Sequence, residues 1–126
     1  MDRDYTYRLL RCAYNVFDEL GPGLLESIYE EALAHELQIQ GFHVERQVPV
    51  PVIYRDKKLS VELRLDLIVD NKVILELKSV NEYRKIFEKQ LYTYLRLMGC
   101  ELGYVINFNE EELSKGIHTV VNPFAR

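Results

Sequence analysis

Asp66, Glu76 and Lys78 fall in one stretch, residues 65–80, LDLIVDNKVILELKSV. Its odd positions Leu65, Leu67, Val69, Val73, Leu75 and Leu77 are all apolar, which reads as a β-hairpin with one buried face. Side chains directly opposite one another on paired strands share a face. Apolar odd positions on both strands require a connecting loop of odd length. A turn at 70–72 pairs Val69 with Val73, and in that register Asp66 lies opposite Glu76 and Arg64 opposite Lys78. Two opposed carboxylates repel, costing about 0.2–1 kcal/mol against a neutral pair, so folding gains nothing from them. A divalent cation held between them would turn that repulsion into binding energy. A simply solvated charged face is the alternative. Ile68 and Ile74 share that face, however, so it is expected to be partly covered, as the border of an active site is.

The flanking elements must hold these groups. Apolar spacing predicts a first helix over 4–20, with Leu9, Leu10, Ala13, Phe17 and Leu20 inward. Gly21-Pro22-Gly23 breaks it, and a second helix is expected from about Pro22 to Gln40, burying Leu25, Ile28, Tyr29, Ala32 and Leu37. VPVPVIY at 48–54 reads as an edge strand because of its prolines. Strands 59–69 and 73–79 form the hairpin. Asn81 is the expected cap of a helix over 82–98 that ends at Gly99. Strand 102–108, a polar loop or short helix at 109–115 and a last strand at 117–121 complete the chain. That order predicts one α/β (α+β) domain over 1–126, a mixed sheet flanked by helices.

The chain has 126 residues, 48% hydrophobic and 29% charged, and a net charge of −4, the balance of an ordinary globular protein and not of one that coats nucleic acid. Residues 55–96 nevertheless carry ten Lys or Arg against seven Asp or Glu, a basic bias around the hairpin. No apolar run approaches the roughly 20 residues of a membrane span, and MDRDYTYRLL is not a signal peptide. Cys12 and Cys100 form no CxxC, so a reduced, cytoplasmic protein is expected. His35, His43 and His118 lack zinc-ligand spacing and read as structural or surface residues.

An Asp on one strand followed by Glu-x-Lys on the next, within an αβββαβ order, resembles the PD-(D/E)XK nuclease superfamily. More narrowly, GLLESIY at 23–29 resembles the G-x-x-E-x-x-Y signature of a group of small uncharacterised proteins in that superfamily. The resemblance runs from the first helix to INF at 106–108. Leu65 stands where the superfamily's name has proline, whereas RLD at 64–66 fits the narrower group.

The resemblance implies a restriction-endonuclease-like core and metal-dependent hydrolysis of nucleic acid, DNA foremost. Asp66, Glu76 and Glu26, with the Leu77 backbone carbonyl, would hold Mg2+ or Mn2+. Lys78 would position the attacking water or stabilise charge on the phosphate. Gln90 and Tyr94, four apart on the helix after the hairpin, resemble the last motif of RecB-like nucleases, and with Arg64 would face substrate. Tyr29 reads as packing or a hydrogen-bond brace, and Gly23 as turn geometry. Cutting both strands of a duplex with one site per chain usually takes two chains, so a homodimer is a candidate arrangement. The competing reading is a non-catalytic module that keeps the fold to bind nucleic acid or a protein partner, supported by the net acidity, the small size and the lack of any dedicated DNA-recognition element in the sequence.

Overall fold

The computed structural model describes residues 1–125. Two helices, α1 (Arg3–Leu20) and α2 (Glu26–Ile39), precede strands β1 (Val44–Val50), β2 (Ile53–Tyr54), β3 (Lys57–Lys58), β4 (Leu63–Val69) and β5 (Val73–Lys78). Helix α3 (Ile86–Met98), strand β6 (Leu102–Asn107), a 3-10 turn at Leu113–Gly116 and strand β7 (Ile117–Val121) follow. Five strands form one sheet in the order β1-β4-β5-β6-β7, in which only the β5–β6 pair is parallel; β2 and β3 make a separate two-stranded hairpin. The parallel pair requires a crossover, and α3 supplies it. No helix among the described residues is long and apolar enough to cross a membrane.

The sheet is covered on both faces. One cluster packs α1 and α2, through Leu9, Ala13, Leu33 and Leu37, against Leu67, Val69, Leu75 and Leu77. The other packs Leu91 and Leu95 of α3 on Ile68, Ile74 and Val105. Ile68 and Ile74 are buried, so the face carrying the charges is indeed covered for half its length. This is why β5 is buried from Val73 to Leu77 without a break: alternation tells the two faces apart, but both are dry.

Several sequence expectations need correction. Helix α2 begins at Glu26, not near Pro22, and Leu25 and Ile28 are exposed, with Glu30, Leu33 and Ala34 buried in their place. The GPG loop consumes more chain than its length suggests, because the Tyr29 hydroxyl folds back under it, donating to the Gly21 carbonyl (2.5 Å) and accepting from Leu24 N–H (3.1 Å). Tyr29 also stacks on Phe108, centroids 4.3 Å apart. Helix α3 starts at Ile86, not after Asn81; the Asn81 side chain is instead engaged by Asn109. The edge strand runs 44–50, and the long strand expected over 59–69 begins only at Leu63, as β4, with β3 at 57–58 lying before it. Gly99 does end α3, in the left-handed conformation (φ 68).

The loop after β5 is pinned from below. Asn107 is fully buried; its Oδ1 accepts from Val80 N–H and Asn109 N–H, and its Nδ2 donates to the Val80 carbonyl. Asn107→Leu would leave these groups without partners, at about 1–3 kcal/mol each for those that water cannot reach. The expected result is a fall in thermal midpoint of about 10 °C, read by circular dichroism. An unchanged melt would show that the Val80 loop is not held by this amide.

Candidate active site

The hairpin turn is the one predicted, with Asp70 and Asn71 at positive φ and Val69 paired with Val73. The ladder continues through Ile68–Ile74 to Leu67–Leu75 and there it opens. In place of the next rung, the Asp66 N–H donates to Glu76 Oε2 (2.7 Å) and the Leu77 N–H donates to Asp66 Oδ2 (2.8 Å). Each carboxylate thus takes the position of a strand carbonyl, bonded to the main chain of the other's strand. The N–H and C=O of one residue in a strand point to the same side, so the Leu77 carbonyl faces the opened gap as well.

Two oxygens, Glu76 Oε1 and Asp66 Oδ1, lie outside these bonds, and Gln47 Nε2 stands 3.4 Å from the latter. Burial, then the Asp66 charge, pushes the Glu76 carboxyl up to about 8. Burial also raises Asp66, and the nearby carboxylates of Glu30 and Glu26 add to the rise. Lys78 acts in the opposite sense on both acids. Its ammonium lies 4.5 Å from the Phe87 ring centroid, held by cation–π attraction at the start of α3. The Tyr94 hydroxyl, also on α3, is pushed up by burial and then by the charges of Glu76 and Asp66.

The remaining sequence candidates stand further off. Glu26 is exposed, and its Oε2 accepts from Ser79 N–H (3.2 Å), one residue past Lys78. Among the described residues no group of three or more His, Cys, Asp and Glu is arranged to hold a metal, so Glu26 does not join Asp66 and Glu76 in one cluster. Glu26 and Ser79 border an open groove of about 820 Å³ that Asn81 and Asn109 also line. Gln90 is exposed one turn before Tyr94. Arg64 does not pair across to Lys78, because the β4–β5 ladder has already ended; its Nη1 donates to the Gln47 carbonyl on β1 (2.8 Å).

Sequence reasoning missed Glu30 and Gln47. Buried Glu30 accepts from Arg46 Nε (3.1 Å) and Gln47 Nε2 (2.6 Å), so the Gln47 amide stands between Glu30 and Asp66. Gln47 has φ 50, costly for a residue with a side chain, and the alternation of β1 and β4 breaks there. Val44 and Leu67 pack toward α1 and α2, whereas Val48 and Leu65 pack toward α3, so Leu65 is not on the face its odd number predicts. The signal for Glu30 was available: it lies four residues after Glu26, hence on the same helical face. Nothing in VERQVPV marks Gln47.

A five-stranded mixed sheet with helices on both faces, and an Asp and a Glu-x-Lys where its central hairpin opens, defines the restriction-endonuclease-like class. The chain belongs to the PD-(D/E)XK nuclease superfamily, whose family model matches residues 3–120. Among solved structures, the crystal structure of SSO0001 superposes with a TM-score of 0.53 over 98% of this chain and 80% of its own. At 17% identity that likeness speaks for the fold alone. No curated protein matches the chain.

Proposed function

We propose that this chain is a metal-dependent nuclease of the G-x-x-E-x-x-Y group that hydrolyses phosphodiester bonds of DNA. The observation that carries the reading is the opened rung, where buried Glu76 and half-buried Asp66 interleave their carboxylates with two amides, each with one oxygen outside those bonds. Burial and neighbouring carboxylates raise both carboxyls despite Lys78, a cost that a bound cation would offset. Magnesium suits it, since it takes one or two carboxylates and keeps several waters. Asp66, Glu76 and the Leu77 carbonyl would hold Mg2+ or Mn2+, with Glu26 at the margin beside Ser79. The ion would supply a more acidic bound water and a counter-charge for the phosphate. Lys78 adds a compact ammonium with three donors, suited to orienting a water and to neutralising a phosphate oxygen. Tyr94 and Gln90 would meet the substrate from α3. Arg64 serves through Gln47, whose main chain it fixes. Cleavage of both strands would need two chains.

The test is calorimetric titration of Mn2+ into the protein and into Asp66→Asn, with a DNA cleavage assay in Mg2+ with and without chelator. One site in the wild type, lost in the variant together with cleavage, is the expected result. An Asp66→Asn protein that cuts as fast as the wild type would sink the mechanism.

Glu30 is read as a positioning residue acting on Asp66 through Gln47. Glu30→Ala is expected to lower kcat about tenfold, with little change in KM, and to destabilise by about 1–3 kcal/mol through the lost charged bonds to Gln47 and Arg46. Arg46→Ala breaks the same ion pair without touching the Gln47 bond. Because Arg46 is half-exposed, its loss is the weaker one, under about 1 kcal/mol, and kcat should hold. Equal losses of kcat in both variants would reduce Glu30 to a structural ion pair.

A further inference from the structure

Strands β2 and β3 form a hairpin that belongs to neither core cluster. An isolated two-stranded hairpin is marginal in water, and this one persists as the outward continuation of the β1–β4 ribbon, with Leu59 N–H donating to the Val52 carbonyl (2.9 Å). Its turn, Arg55-Asp56, has φ 48 and φ 67, the twist of a tight two-residue hairpin. The strands pair Ile53 with Lys58 and Tyr54 with Lys57, so each face of the ribbon presents one apolar and one cationic side chain. All are exposed, Ile53 by 58% and Tyr54 by 61%. Among the described residues no ion pair engages Arg55, Lys57 or Lys58, although the chain is acidic overall. Cations without ion pairs, Arg55 resting 5.8 Å over the Tyr54 ring, on an exposed element that supports no core, favour a polyanionic partner.

Topology sets where that partner lies. Strand β4 begins, and β1 ends, at the same end of the sheet at which antiparallel β5 ends in Lys78. Lys58 is eight residues before Asp66, at most about 26 Å along an extended chain, less than one turn of B-form DNA at about 34 Å. A two-stranded ribbon fits the B-form major groove, whereas the A-form groove is too narrow to admit it. We propose that the β2–β3 hairpin is an arm that grips duplex DNA within one helical turn of the phosphate to be cut. The partner class is double-stranded DNA, bound through Arg55, Lys57 and Lys58, with Tyr54 packing against the groove wall. The inference rests on the nuclease reading for the position of the cut, not for the binding itself.

The experiment is a fluorescence anisotropy titration of a duplex of about three helical turns with the full chain, Ca2+ replacing Mg2+ so that the strands stay uncut. It compares the wild type with the Arg55→Ala/Lys57→Ala/Lys58→Ala variant over a range of salt. At about 0.1 M salt the variant is expected to bind tenfold or more weakly, and its slope of log K against log salt to shrink by about 0.9 for each phosphate it no longer neutralises. Mn2+ titration should be unchanged, showing that fold and carboxylate pair are intact. A variant with wild-type affinity and slope overturns the arm, as does a wild type that binds single strands or an RNA duplex equally well. Weakened duplex binding in a protein that takes up no Mn2+ would keep the arm and remove the nuclease reading.

Discussion

Glu76→Gln is expected to abolish cleavage and, at the same time, to make the apo protein more stable at pH 8. The Glu76 carboxyl is raised to about 8 by burial and by Asp66, against about 4.3 for a free glutamate. The fold therefore prefers the neutral acid. A group with a raised folded pKa contributes its full stability below the unfolded value and loses it as pH climbs through the folded one. The window for the wild type is about pH 4.3 to 8, and Asp66 shifts in the same direction. Gln is the neutral acid's near-isostere and cannot titrate. Between pH 5 and pH 8 the wild-type melting temperature should fall by several degrees and that of Glu76→Gln by clearly less, the remainder belonging to Asp66. Mn2+ displaces the proton, so wild-type affinity should rise up to about tenfold per pH unit until pH 8, and added Mn2+ should erase the alkaline loss. The variant, missing a ligand, should take up little Mn2+ and cut about a thousandfold more slowly or worse. Stability gained where activity is lost would identify a charge kept for chemistry. A variant that melts with the wild type's pH dependence would show that Glu76 is not the buried acid described here.

The central hairpin was legible because its strands differ by face: apolar odd positions, charged even ones, and a loop whose parity fixed the register from Val69–Val73 to Leu67–Leu75. The parity holds where the ladder is regular and breaks beyond Leu67–Leu75. Leu65 packs on the opposite face, and Arg64 turns to β1, because Gln47 takes a left-handed backbone that a sequence pattern cannot announce. Helix starts were displaced for a different reason. Pro22 and Asn81 carry local signals for helix entry, yet tertiary bonds spend those segments on loops: the Tyr29 hydroxyl takes the first, Asn107 and Asn109 the second. Both loops border the site. Local preference is overridden where the chain serves the carboxylates, and there too sits Glu30, a buried acid whose only mark in the sequence is its place one turn after Glu26.

Lys78→Ala separates a nuclease from a module that merely keeps the fold. Its Nζ lies over Phe87, and its charge lowers both carboxyls, so the residue acts on the pair without bonding to either. Removing it takes away a repulsion that opposes any cation in the gap. That repulsion scales with the incoming charge, about twice as large for Mn2+ as for the competing proton. Mn2+ affinity should therefore be no weaker in the variant than in the wild type, and DNA binding should survive because other cations carry it. Cleavage should drop by about a hundredfold to a thousandfold, the loss of one charge-stabilising, water-orienting group. Lys78→Arg should not restore it, since a planar guanidinium can stack over Phe87 but does not present the compact point charge of an ammonium. Loss of Mn2+ binding along with cleavage would mean that Lys78 holds the rung open and does no more. Wild-type cleavage by Lys78→Ala would leave the Glu-x-Lys strand with no part in the reaction, and the binding module would then be the better account of this fold.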